Sequence, residues 1–141
     1  MRFWDASALI ALLVDEPVRE AMFGHLEEDP EVLVWWGTPV EMMSALARRE
    51  REGGLAERDV LAAQSAIGQL ARVWHEILPT EMVRRTAQRL LRMHPLRAAD
   101  SLQLAAALLA CGHDPSTLEW VCLDDRLNVA VRREGFPVIA V

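Results

Sequence analysis

No lysine occurs in this 141-residue chain; all 15 of its basic residues are arginine. A P-loop needs a lysine on the phosphates it cradles, so that chemistry is excluded. The exclusive use of arginine reads as the codon composition of a GC-rich genome. Cysteine is scarce as well. Cys111 and Cys122 sit in apolar contexts without metal or redox spacing, and the expectation is a pair of free, buried thiols in a reducing compartment. The four histidines, His25, His75, His94 and His113, lack the spacing of a zinc site. No apolar run is long enough to span a membrane, the longest covering 104–111. The N-terminus lacks a secretory pattern, because Arg2 is followed at once by Asp5. These absences point to a cytoplasmic protein with no membrane segment. Positive charge is also short. A net charge of −6 argues against coating nucleic acid by bulk attraction, so a nucleic-acid substrate would depend on local arginines and bound metal.

What is present is a chain of one domain's length, taken as a single domain over 1–141. Its hydrophobic fraction of 52% is enough to build a core without staples. Short apolar runs alternate with helical periodicity, the pattern of a parallel α/β sheet. Strands are expected over 2–4, 32–36, 73–78, 120–123 and 137–141. Helices are expected over 6–14, 17–28, 38–52, 57–70, 80–94, 97–110 and 125–134, with breaks at Asp15-Glu16-Pro17, Gly53-Gly54, Pro95, Gly112 and Gly135. Right-handed crossovers would place helices on both faces. The expected fold is α/β, a three-layer sandwich with a central, mostly parallel sheet flanked by helices on both faces.

Ligands of open parallel sheets collect at the carboxyl ends of the strands. Asp5 directly follows the first strand and Asp124 directly follows the 120–123 strand, while Glu41 and Asp100 fall in the first turns of two helices. Each acid also has a plain structural role open to it. Asp5 and Asp124 are suitable helix N-caps, and Thr38-Pro39-Val40-Glu41 has the form of a capping box with proline at the first helical position. Asp100 is different, because it lies in a helix that is apolar around most of its circumference. A buried carboxylate there is costly unless it is paired or coordinated. Arg97 is the pairing alternative, and a ligand role is favoured. Four converging acids would repel one another and take up protons. A hard divalent ion, Mg²⁺ or Mn²⁺, removes that repulsion. The expected catalytic and metal-binding residues are therefore Asp5, Glu41, Asp100 and Asp124.

Four stretches, in this order and spacing, resemble the PIN domain, and most closely the VapC-like toxins of bacterial toxin–antitoxin pairs. They are Asp5-Ala6-Ser7-Ala8-Leu9, residues 38–46 around Glu41, residues 96–105 around Asp100, and Val121-Cys122-Leu123-Asp124-Asp125-Arg126-Leu127. Together they span nearly the whole chain. The resemblance implies a metal-dependent endoribonuclease with an RNA substrate and a cognate antitoxin that occludes the site. It places Asp5, Glu41, Asp100 and Asp124 on the family's acidic quartet, with Asp125 as the alternative to Asp124 if the strand ends one residue later. Ser7 falls where the family often carries a hydroxyl near the metal, although it also suits a helix cap. Cys122 stands where these proteins commonly have Thr or Ser.

Within that reading, Arg48, Arg49 and Arg51, together with Arg84, Arg85, Arg89 and Arg92, are candidates to grip the RNA backbone. The alternative is a solvated face paired with Glu50, Glu52 and Glu81. Trp35 and Trp36 are expected in the core, with base stacking as the other possibility. Met22, Phe23, Met42 and Met43 are candidate exposed apolar residues for a homodimer or antitoxin contact. Two rivals remain. A non-catalytic PIN-like scaffold would have let at least one acid drift, and all four remain. A haloacid-dehalogenase-like phosphatase would carry an acid two residues after Asp5 and a lysine elsewhere. Here Ser7 stands in that place and lysine is absent.

Overall fold

In the computed structural model, which describes residues 1–14 and 16–139, four short strands run parallel. They are β1 (Arg2–Trp4), β2 (Val32–Trp35), β3 (His75–Ile77) and β4 (Glu119–Val121), in the order β3-β2-β1-β4. In register, Phe3 lies beside Leu33 on one side and Trp120 on the other. Alternation then divides the apolar residues between the two sheet faces. Phe3, Leu33, Trp35 and Trp120 enter one core, and Trp4, Val32, Val34 and Val121 enter the other.

Among the described residues, seven α-helices cover these faces. Helices α1 (Ala6–Leu13), α2 (Arg19–Glu28), α3 (Thr38–Arg51) and α4 (Glu57–Leu70) pack on the face of Trp4 and Val34. Helices α5 (Glu81–Met93), α6 (Ala98–Ala110) and α7 (Asp125–Glu134) pack on the face of Phe3 and Trp120, whose rings stack 4.6 Å apart. Helix α5 buries Val83, Thr86, Ala87 and Leu90, the narrow stripe of a surface helix. From Gln103 to Leu108, α6 is buried without interruption, as expected of a central helix. The result is the expected three-layer α/β sandwich with a wholly parallel sheet. Among the described residues, no helix is long and apolar enough to cross a membrane.

The differences from expectation lie at element ends. Helix α2 begins at Arg19, not at Pro17, and Asp15 lies outside the described residues. On the sheet's edge, β3 is three residues long, and Val73 is exposed in the turn before it. Pairing along β4 stops at Val121, whose carbonyl accepts the Asp5 backbone N–H at 3.0 Å, so Cys122 and Leu123 leave the ladder toward the site. Of the expected last strand, a single parallel bridge, Trp120 to Val138, is formed, and Ala140 and Val141 lie outside the described residues. Helix α3 is capped by Gly37, not Thr38, which is buried in the first turn with its hydroxyl unpartnered. Gly37 is needed there, because a Cβ would sit 2.5 Å from the Trp35 indole nitrogen. This close turn aims α3, and with it Glu41, from the end of β2.

Candidate functional site

Asp5, Glu41, Asp100 and Asp124 all line one cleft of about 290 Å³ at the carboxyl edge of the sheet, together with Ser7, Arg48, Arg49 and Arg97. Four distant segments therefore meet at the edge where strand ends and helix starts coincide. Asp125, the alternative to Asp124, is exposed at the first position of α7 and is not part of the lining.

Asp5 is held by the transition from β1 to α1. It is 5% exposed. As N-cap of α1, its Oδ2 accepts the Ser7 backbone N–H at 2.8 Å and also the Ser7 hydroxyl. Ser7 Oγ in turn accepts the Leu123 N–H at 3.0 Å and lies 3.7 Å from Cys122 Sγ. One serine thus ties the ends of β1 and β4 together. The Asp124 N–H donates to the Cys122 sulfur at 3.3 Å, so the thiol takes a local acceptor role. Burial pushes the Cys122 thiol well above its ordinary range, which leaves it a neutral packing group.

Asp124 caps α7, its Oδ1 accepting the N–H groups of Arg126 and Leu127 at 2.9 and 3.1 Å. For Asp5 and Asp124, the capping role and the cleft-facing role therefore coexist. For Glu41 the capping-box alternative fails: its carboxylate turns away from the helix start and accepts from Gln103 Nε2 at 2.7 Å. Burial pushes the Glu41 carboxyl up to about 7, and the charge of Asp5 adds to the rise; the Gln103 donation pulls the other way, and Asp100 adds a smaller upward push.

Asp100, at the third position of α6, is half-buried rather than enclosed, because Ala98 and Ala99 beside it are exposed. Its Oδ2 accepts the Arg97 backbone N–H at 3.2 Å, and the guanidinium that approaches it is Arg126, at 3.6 Å. The expected pairing partner, Arg97, contributes its backbone in place of its charge. Burial raises the Asp100 carboxyl; the Arg97 N–H lowers it, Asp124 raises it, Arg126 lowers it and Asp5 raises it. Among the described residues, Arg126 is the one guanidinium at ion-pair distance from the four acids, although Arg48, Arg49 and Arg97 also line the cleft. Among the described residues, no three acids stand close enough to enclose a metal ion by themselves.

The other candidates divide. Arg48, Arg49 and Arg97 line the cleft, with Arg49 paired to Glu16. Arg84 and Arg85 pair with Glu81 of their own helix, as the solvated alternative expects. Trp35 is buried, but Trp36 is 51% exposed, against the expectation of core packing for both. Met22 and Met42 are fully buried and Met43 is half-buried. Of that group Phe23 alone is exposed, against an apolar hollow with Leu12, Leu13, Leu26, Leu70 and Val73. Sequence reasoning missed Gln103, which also donates to Asp5 Oδ1 at 2.7 Å. It was legible as a polar residue inside the run Leu102-Gln103-Leu104-Ala105, three positions after Asp100, on the same helix face.

The family model of the PIN domain matches residues 2–113, most of the chain and three of the four acids. The chain belongs to the PIN domain family. Solved structures share this PIN fold from end to end. A toxin–antitoxin complex from Klebsiella pneumoniae superposes with a TM-score of 0.67 at 16% identity, covering 99% of this chain and 97% of the other. FitAcB from Neisseria gonorrhoeae gives 0.68 at 16% identity over the same shares. VapC20 from Mycobacterium tuberculosis, a sarcin-ricin loop cleaving toxin, gives 0.68 at 20% identity over 96% of each chain. No curated protein matches the chain by sequence. PIN membership supports a nuclease, and these likenesses, at 16 to 20% identity, show the shared fold.

Proposed function

We propose that the chain is an endoribonuclease toxin that hydrolyses RNA phosphodiesters with a divalent cation, Mg²⁺ or Mn²⁺. The observation that carries the reading is the convergence of four acids from four elements on one cleft at the sheet's carboxyl edge. The donor set fits a hard cation. Carboxylate oxygens line the cleft without histidine, and Glu41 is pushed up to about 7 by burial and by the charge of Asp5. Because no three acids close on one point, waters would complete the shell, as Mg²⁺ commonly keeps several.

Asp5 and Asp100 are the proposed principal ligands, with Glu41 and Asp124 as ligands or water-orienting groups. When bound, the ion supplies water activation and charge stabilisation at the phosphate. The chain's own groups do the rest. Arg48 and Arg97 hold the backbone of the strand beside the acids. Arg126, against Asp100, keeps a positive charge at the rim. Ser7 fixes the rotamer of Asp5 through its N–H and its hydroxyl. A haloacid-dehalogenase-like reaction is disfavoured, since Ser7 stands where the second acid would be and both its hydrogen bonds serve the scaffold. A cognate antitoxin covering the cleft, and a homodimer, complete the proposal; the likeness to the Klebsiella toxin–antitoxin complex supports the former.

The test is cleavage of total RNA by the purified chain. Cleavage that EDTA abolishes, that Mn²⁺ restores, and that folded Asp5→Asn lacks is the expected result. Undiminished cleavage in EDTA would overturn the metal-dependent reading.

A further inference from the structure

Resting on that reading of the cleft, we infer that Gln103 is a positioning residue whose side-chain amide holds Asp5 and Glu41 together as one paired acidic site. Its Nε2 donates to Asp5 Oδ1 and to Glu41 Oε2, each at 2.7 Å. These two carboxylates come from separate elements, one following β1 and the other on α3. Left to themselves they repel. An amide with two N–H groups on one nitrogen draws both toward it without cancelling their charge, so both remain able to hold a cation. A lysine or arginine in the same place would neutralise the pair and compete with the cation.

The surroundings argue against an ordinary core residue. Gln103 is 1% exposed, and its Oε1 has no partner. A buried, unsatisfied acceptor is a cost that an apolar side chain of similar length would avoid. The amide's orientation is also determined by the acids, because turning it over would set Oε1 against two carboxylate oxygens. What the residue gains is confined to its two donated bonds, and both end on proposed site acids. Asp100 and Gln103 are three positions apart on α6 and so share a helix face. The helix that presents one acid to the cleft therefore also supplies the clamp for two others. Groups that orient metal ligands commonly change affinity or rate by roughly 10- to 100-fold when removed.

The experiment is calorimetric titration of Mn²⁺ into the full chain and into Gln103→Met, which keeps length and loses both donors. Melting curves and RNA-cleavage kinetics accompany it. Mn²⁺ binding to the wild type, at least about tenfold weaker in a Gln103→Met protein of near-unchanged melting temperature, is the expected result. The same variant should lose kcat while KM for RNA holds, since the arginines that contact RNA are untouched. Equal affinity in the two proteins overturns the role of Gln103 and leaves the nuclease reading standing. Failure of the wild type to bind Mn²⁺ overturns both. A variant that fails to fold moves the test to the wild type itself. There, Mg²⁺ titration of labelled protein should shift both Gln103 side-chain amide protons in the NMR spectrum, and unmoved resonances overturn the inference.

Discussion

The two ends of the same sheet treat buried charge in opposite ways. At the amino edge, Arg2 is 9% exposed and fully partnered. Its guanidinium donates to Glu119 at 2.7 Å, to the His25 carbonyl at 2.8 Å and to Glu28 at 3.2 Å. The hydrogen bond to Glu119 holds it above its ordinary range, against the opposing pull of burial, and the cluster is closed. At the carboxyl edge, Arg126 approaches Asp100 at 3.6 Å and one neutral amide sits between Asp5 and Glu41, while Arg48, Arg49 and Arg97 line the same cleft without pairing to the four acids. Burial is common to both ends, so burial of charge does not mark a functional site. The distinguishing property is that Asp5, Glu41 and Asp124 have no guanidinium paired to them among the described residues, a lack that a cation from solution can answer.

That contrast can be broken most sharply by substitution. Asp5→Asn and Asp100→Asn should each lower RNA cleavage by about a thousandfold, several kcal/mol of transition-state stabilisation, with the fold intact by circular dichroism. Isothermal titration should show Mn²⁺ affinity collapsing in Asp100→Asn.

The next effect is on stability. Adding Mg²⁺ at a hundred times its dissociation constant should stabilise the protein by about 2.7 kcal/mol, and differential scanning calorimetry would detect the rise. Without metal, pH should act through Glu41. Burial and the charge of Asp5 raise this group from 4.5 to about 7, so the folded chain binds its proton more tightly than the unfolded one. That contribution is complete below 4.5 and is lost as pH rises through about 7. Asp100, also raised, acts in the same sense. The metal-free melting temperature should therefore fall across this window, and Glu41→Gln should flatten the decline.

At the amino edge, Arg2→Met should cost about 1–3 kcal/mol of folding stability by urea titration, with Mn²⁺ affinity unchanged. A loss of metal binding there would erase the contrast. The smallest effects belong to surface arginines. Arg48→Ala and Arg97→Ala should raise KM for RNA a few-fold and lessen its salt dependence. Arg84→Ala and Arg85→Ala, on a helix whose charges pair with Glu81, should leave KM unchanged.

The uneven legibility of the molecule follows from the range of the interactions involved. The unbroken apolar run Val32–Trp35 announces a strand buried on both faces, and the positions of Asp5 and Asp124 beyond strand ends follow from topology. Asp100 stood out because it interrupts an apolar helix, and by the same argument Gln103 should have stood out too. What could not be read locally was decided by tertiary contact. Thr38-Pro39-Val40-Glu41 has the pattern of a capping box, but Gly37 starts the helix and Glu41 is drawn to Gln103 on another element. Met22 and Met42 are buried because which stripe of a helix faces the sheet depends on how its neighbours pack, and Trp36 is exposed in the turn that follows β2.

The central claim is that a hard cation completes the acidic cleft, and a crystal grown with Mn²⁺ tests it most directly. The account predicts an anomalous-scattering peak in the cleft, with oxygens of Asp5 and Asp100 at about 2 Å. A well-resolved map at saturating Mn²⁺ with no peak between those two side chains would contradict it.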